Sequence, residues 1–251
     1  KNNNIWAGTQ EGLNFYSRDL DKFNSITFNE ANQNIKFAVH AIEEFNDSTL
    51  LVGTHQNGLL KLNKNDYSFK RVNYKSNNSI SSLLINSIVK TEDEKFIVGT
   101  NQGLMTFDPY NSTLQLTKFD LNDKYETVES SIESILIDNN KTLWLGTSSK
   151  GLIKITNTKF SYKIQNLMIT NKRVLSLSLK QDDNILCGTE NDGLFEISNE
   201  KNEIENYKFD KNIQDGIKSN SIWSTYTDEK NRIWLGYYNN GIDVYNENYN
   251  K

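Results

Sequence analysis

The run Leu143-Trp144-Leu145-Gly146-Thr147-Ser148-Ser149-Lys150-Gly151-Leu152 is one of six versions of a single pattern, and that pattern decides the fold. An apolar segment ends on Gly-Thr, a short polar turn follows, and a second glycine opens the next apolar segment. The other copies run Ile5-Trp6-Ala7-Gly8-Thr9 to Gly12-Leu13, Leu51-Val52-Gly53-Thr54 to Gly58-Leu59, and Ile97-Val98-Gly99-Thr100 to Gly103-Leu104. The last two are Leu186-Cys187-Gly188-Thr189 to Gly193-Leu194 and Ile233-Trp234-Leu235-Gly236-Tyr237 to Gly241-Ile242. Successive first glycines stand 45, 46, 47, 42 and 48 residues apart, and the second glycine follows the first by 4 or 5. A period of that length, kept six times, is architectural.

A second feature keeps step with the glycines. Eleven residues before the glycine stands Ile42, Ile88, Ile135 or Leu177, and three residues earlier stands Val39, Ile85, Ile132 or Val174. In the last copy Ile222 and Thr225 hold those places, with Asp228 after them. Polar turn residues such as Asp138-Asn139-Asn140 separate the two features. One unit therefore reads as four strands with period-2 alternation, and no segment sustains a 3.6-residue helical period. The paired glycines either supply backbone angles other residues resist or let neighbouring sheets approach closely.

Four-stranded units of this length are propeller blades, because a lone twisted sheet cannot bury both faces while radial packing buries them. The expected fold is all-β, a β-propeller of four-stranded antiparallel blades over residues 1–251. Its blade motifs lie near 5–17, 50–62, 96–107, 143–155, 185–197 and 233–245. Six repeats are visible and two are incomplete: the chain opens at Lys1-Asn2-Asn3-Asn4 directly into a second strand and stops after a third. The expectation is therefore a portion of a larger propeller.

Composition excludes several classes. Hydrophobic residues make up 36% and the net charge is -4, so a core is affordable and no basic footprint for nucleic acid exists. No apolar stretch approaches the roughly 18 residues that a membrane-spanning helix needs. The one cysteine, Cys187, sits in an apolar run and reads as a small buried hydrophobe.

No catalytic constellation appears. There is no Gly-x-Ser-x-Gly elbow, and carboxylate pairs such as Asp182-Asp183 and Glu92-Asp93 fall where turns are expected. His40 and His55, the only histidines, read as lying at opposite parts of one blade, so neither a metal site nor a cofactor is expected. Gly-Thr followed by Gly recurs in every blade, which makes it structural punctuation and not a nucleotide loop.

Binding is expected at the turns after each second strand and the links entering each inner strand. The last copy breaks the repeat by placing Tyr237 where threonine is usual and adding Tyr238 and Asn239. Rings beside amides suit sugars, since rings stack on C–H faces while amides bond hydroxyls. The alternative is that both tyrosines cap a blade. Trp6, Trp144 and Trp234 share a second-strand position and read as inter-blade core. Trp223 lies between the inner-strand anchors and points either into the channel or toward the next blade. His55 joins the candidates from its glycine loop. Arg173, just before an inner strand, is either a guanidinium for an anionic sugar or a surface charge.

The signature apolar-Trp-apolar-Gly-Thr, three or four residues, Gly-Leu resembles the two-component regulator propeller repeat. The copies at Leu143–Leu152 and from Asn220-Ser221-Ile222-Trp223 through Asp228 to Gly241 carry the resemblance most fully. WD and kelch repeats fit poorly, lacking their Trp-Asp and Gly-Gly here. The resemblance implies a non-enzymatic sensor ectodomain on the periplasmic or extracellular side of a membrane-anchored bacterial signalling protein. It also implies a small-molecule or oligosaccharide ligand, with a homodimer as a further partner state. The competing expectation is a scaffold for dimerisation or for another protein.

Overall fold

A computed structural model of the chain describes residues 5–30, 33–74, 83–122, 124–158, 161–199 and 203–246, and residues 1–4, read above as an abrupt opening, lie outside them. Every regular element described is a strand. In chain order these are β1 Ile5–Thr9, β2 Gly12–Ser17, β3 Lys22–Ser25, β4 Phe28–Glu30, β5 Gln33–Ile35, β6 Val39–Asn46, β7 Thr49–Thr54, β8 Leu59–Asn63 and β9 Phe69–Arg71. Then come β10 Asn73–Tyr74, β11 Ile85–Lys90, β12 Phe96–Thr100, β13 Gly103–Asp108, β14 Thr113–Leu116, β15 Lys118–Asp120, β16 Tyr125–Thr127, β17 Ile132–Ile137, β18 Leu143–Thr147 and β19 Leu152–Asn157. The series ends with β20 Tyr162–Leu167, β21 Val174–Leu179, β22 Ile185–Thr189, β23 Leu194–Ile197, β24 Ile204–Tyr207, β25 Ile222–Thr227, β26 Ile233–Tyr237 and β27 Ile242–Tyr245.

The fold is a β-propeller, and its blades are antiparallel sheets of neighbouring strands. Blades 2, 4 and 5 are the four-stranded sheets β6–β9, β17–β20 and β21–β24. Blade 3 is β11–β14 with the short β10 added in parallel at its outer edge. Blades 1 and 6 are three-stranded, β1–β3 and β25–β27, matching the two incomplete repeats. The chain divides into two compact units, one holding blades 1 to 3 and the other blades 4 to 6.

Within each unit the cores lie between consecutive blades, which is why the second strands are apolar at every position. In the first unit Leu50 and Val52 of β7 face one core with Leu13 and Phe28, whereas Leu51 faces another with Ile85, Val98 and Phe107. In the second unit Ile185 and Cys187 of β22 pack with Trp144, while Leu186 turns to Ile222, Ile233 and Leu235. A strand buried on both faces reads as a continuous hydrophobic run. Cys187 is fully buried as expected, and desolvation pushes its thiol far above the ordinary range.

The two glycines of the motif do different work. A Cβ on Gly146 would stand 2.6 Å from the Val174 carbonyl oxygen and 2.8 Å from its Cγ1, so this glycine admits the next blade's inner strand. Gly151 has φ +67°, the left-handed region that L side chains resist, and closes the turn. Between them, the Thr147 hydroxyl donates to the Gly151 carbonyl at 2.9 Å and accepts the Lys150 N–H at 2.8 Å. Trp144 is core, only 1% exposed, but Trp6 and Trp234 are half-buried, so the shared second-strand position does not enforce burial.

Candidate functional site

The register of each blade's first two strands builds one recurring pair of positions. A β-bulge interrupts the inner strand between Val39 and Ala41, Ile85 and Ser87, Ile132 and Ser134, Val174 and Ser176, and Ile222 and Ser224. The bulged residues are thus His40, Asn86, Glu133, Leu175 and Trp223. Bulges re-aim a side chain and are frequent beside functional sites. Directly after the second strand come His55, Asn101, Ser148, Glu190 and Tyr238, each with its backbone N–H donating to a carbonyl just before the inner strand. Those acceptors are Ala38, Leu84, Ser131, Arg173 and Ser221, at 3.0 to 3.3 Å. Each blade therefore sets its bulged residue beside its post-strand residue at the same end of the sheet.

In blade 6 the pair is Trp223 and Tyr238. Their rings stack with centroids 4.9 Å apart and an interplanar angle of 26°. They remain 48% and 61% exposed, so the stack presents an aromatic surface to solvent. Trp223 lies on Tyr238 of its own blade, a third placement beside the channel and the next blade weighed for it. Asn239 is exposed in the following turn, and Asn240 ties that turn down by donating to the Lys218 carbonyl at 2.9 Å.

Tyr237 corrects the expectation of two tyrosines side by side in the loop. It is 7% exposed, the last residue of β26, and its ring joins Ile217, Ile222, Leu235 and Tyr245 in the core. Its hydroxyl shares a hydrogen bond with that of Tyr245 at 3.1 Å and accepts the Lys218 N–H at 3.2 Å. Tyr238, the next residue, is 61% exposed, so the two tyrosines do not share a surface. Its departure from threonine is explained by packing against the segment that enters β25.

Arg173 is neither a lone surface charge nor an open guanidinium. One terminal nitrogen lies 2.7 Å from Glu133, the bulged residue of blade 4, and the other 3.9 Å from Glu190 of its own blade. Burial works against the charge, but the hydrogen bond and attraction of Glu133, with Glu190, outweigh it and hold the guanidinium above its ordinary value. Ser131 adds a hydroxyl donated to Glu133 at 3.0 Å.

His55 belongs to the first unit. Its ring centroid lies 5.3 Å from that of His40 with a 55° tilt, which overturns the reading that placed the two histidines at opposite parts of the blade. The bulge at position 40 brings them together. Among the described residues no group of three or more His, Cys, Asp or Glu is placed to hold a metal ion. The paired positions were readable as a constant spacing: bulged and post-strand residues are 15 apart in all five blades, His40 to His55 through Trp223 to Tyr238.

Residues 216–239, which contain Trp223, the β25–β26 turn and Tyr238, match the two-component regulator propeller family. The chain carries a two-component regulator propeller repeat. A curated relative, Histidine kinase P4 of Formosa agariphila, is 25% identical; the alignment covers 79% of the chain and 16% of that protein. Among solved structures, the extracellular domain of BT4673 from B. thetaiotaomicron, described both as a one-component and as a hybrid two-component system, superposes with a TM-score of 0.76 and 22% identity. It covers 96% of the chain and 31% of that domain. PorZ of Porphyromonas gingivalis, a surface component of the type-IX secretion system, gives a TM-score of 0.69 at 14% identity, covering 95% of the chain and 36% of PorZ. The chain thus spans about a sixth of its curated relative and about a third of these structures. At such identities the structures establish the fold, and one fold serves many functions. No helix described is long and apolar enough to cross a membrane.

Proposed function

We propose that the chain is a ligand-sensing propeller on the extracytoplasmic side of a bacterial two-component signalling protein, that it is not an enzyme, and that the Trp223–Tyr238 face takes a carbohydrate. The exposed stack carries this reading: two large stacked rings in solvent offer a platform for the C–H face of a sugar, with the exposed Asn239 next in the chain for hydroxyls. The kinase relative and the extracellular-domain likeness support the signalling context. Arg173 is a poor first contact for an anion while Glu133 and Glu190 neutralise it, which favours a neutral sugar.

The test is a melting-temperature screen against neutral and acidic oligosaccharides, repeated on a Trp223→Ala/Tyr238→Ala variant. A sugar at 100 times its dissociation constant stabilises the native state by about 2.7 kcal/mol, which a melt resolves. A sugar-specific shift lost in the variant is the expected result. Absence of any shift from a folded protein overturns the carbohydrate reading. The second reading, a protein-interaction or dimerisation scaffold, draws on the exposed Tyr226 and Ile242 of blade 6, and the same samples would then show concentration-dependent mass.

A further inference from the structure

We infer that His40 and His55 form a two-imidazole site for a divalent transition-metal ion of borderline softness: copper(II), nickel or zinc. The remaining coordination positions go to water or to an oxygen or nitrogen atom of an exogenous ligand.

Three observations carry it. The first is geometry: two imidazoles bound to one cation by bonds of about 2.0–2.1 Å at a tetrahedral angle have ring centres about 5 Å apart. The centroids of His40 and His55 are 5.3 Å apart, and the 55° tilt avoids the parallel stacking that would aim both nitrogens away from a shared ion. The second is usage. The chain has 2 histidines in 251 residues, and they occupy the bulged and the post-strand position of blade 2. The fold does not call for imidazoles there, since the equivalent pairs are Asn86 with Asn101, Glu133 with Ser148, Leu175 with Glu190 and Trp223 with Tyr238. The third is access and rigidity. Both residues are exposed, so an ion can enter and keep its own water, while the backbone bond from the His55 N–H to the Ala38 carbonyl, at 3.0 Å, fixes their separation.

Donor chemistry selects the ion. Imidazole nitrogen suits zinc, copper and nickel, whereas magnesium and calcium require oxygen ligands. Copper(II) should bind most tightly, following the general affinity order for nitrogen sites.

The experiment uses the tag-free chain and its His40→Asn, His55→Asn and double variants, asparagine being what blade 3 carries at both places. Copper(II) is titrated in, with stoichiometry read from quenching of tryptophan fluorescence and the number of bound nitrogens from electron paramagnetic resonance. Zinc and nickel affinities come from competition with a chromophoric chelator. One equivalent of copper bound through two imidazole nitrogens is expected, with at least tenfold weaker binding in each single variant and loss of the site in the double. Calcium and magnesium should give no competition. Wild-type affinity in either folded single variant, or a copper spectrum with one imidazole nitrogen or none, overturns the inference. Because the pair lies in the unit that does not hold Trp223 and Tyr238, this result and the sugar screen fail separately.

Discussion

Asp138 and Asp228 open equivalent turns and do the same work with the same atoms. The Asp138 carboxylate accepts the backbone N–H groups of Asn140 and Thr142 and the indole N–H of Trp144, at 2.8 to 2.9 Å. Asp228 accepts those of Lys230, Arg232 and Trp234, at 2.9 to 3.0 Å, and adds the Arg232 guanidinium at 2.7 Å. Blade 5 inverts the chemistry, with buried Lys180 at the aspartate's place reaching Glu196 at 2.6 Å, where blade 4 has Lys154 facing Asp138. A buried charge persists there only because its partner changes with it. The indole bond of Trp234 first, then the backbone and guanidinium donors, hold the Asp228 carboxyl well below its ordinary value of 3.8. Its native state therefore binds fewer protons than the unfolded chain. The resulting stability is complete above that ordinary value and lost as pH falls through the lower native one. Asp228→Asn should lower the melting temperature clearly at neutral pH, and the gap from wild type should close as pH is taken below 3.8. Melts across that range check it, and a gap independent of pH would show that the charge is irrelevant.

At the scale of the blade, the separate duties of the two glycines give a graded expectation. Gly146→Ala drives a methyl into the Ser134 hydroxyl and the Val174 backbone, with no room on either side, and should cost about 3 kcal/mol. Gly241→Ala meets nothing within 4 Å, and only its φ of +69° opposes it, so about 1 kcal/mol is expected. Denaturant titration of both variants tests the order, and equal losses would refute the division of roles. Strand order and blade number were legible, because a 42-to-48-residue repeat of apolar runs and paired glycines encodes them directly. The site was legible in part. Tyr238, Trp223 and His55 stood among the candidates, but the pairing of Trp223 with Tyr238 and of His55 with His40 rests on a bulge, whose sequence trace is only a constant spacing of 15 residues. Tyr237 misled because a residue that departs from its repeat can do so for packing, and the hydroxyl of Tyr245 that receives it is 8 residues away on the next strand. Glu133 and Glu190 went unnoticed as partners of Arg173 since carboxylates abound and only register singles these two out.

At the scale of the whole molecule, what distinguishes blade 6 among the described residues of its unit is a sheet face whose large side chains stay exposed. In blades 4 and 5 the face carrying Gly146 or Gly188 receives the next inner strand, at Val174 and Ile222. The same face of blade 6 carries Ser224, Gly236 and Ile242 in one cross-strand row and Tyr226, Trp234 and Val244 in the next. The three atoms nearest a Cβ on Gly236 all belong to Ser224 of its own blade, and Ile242 and Tyr226 are 70% and 60% exposed. This contrast also explains the tryptophans, since Trp144 is covered by blade 5 while Trp234 stays half-buried. A contiguous apolar face beside the edge strand β27 is an adhesive surface in water. Self-association of the isolated chain should therefore rise with concentration, and Ile242→Lys/Tyr226→Lys should suppress it. The variant removes almost no buried contact, so its melting temperature should stay near that of wild type. Sedimentation velocity over a hundredfold concentration range reads the first expectation and thermal melts the second. If the double variant associates as wild type does, the adhesive surface lies elsewhere. If it unfolds instead, those side chains were packed after all and the face is not open.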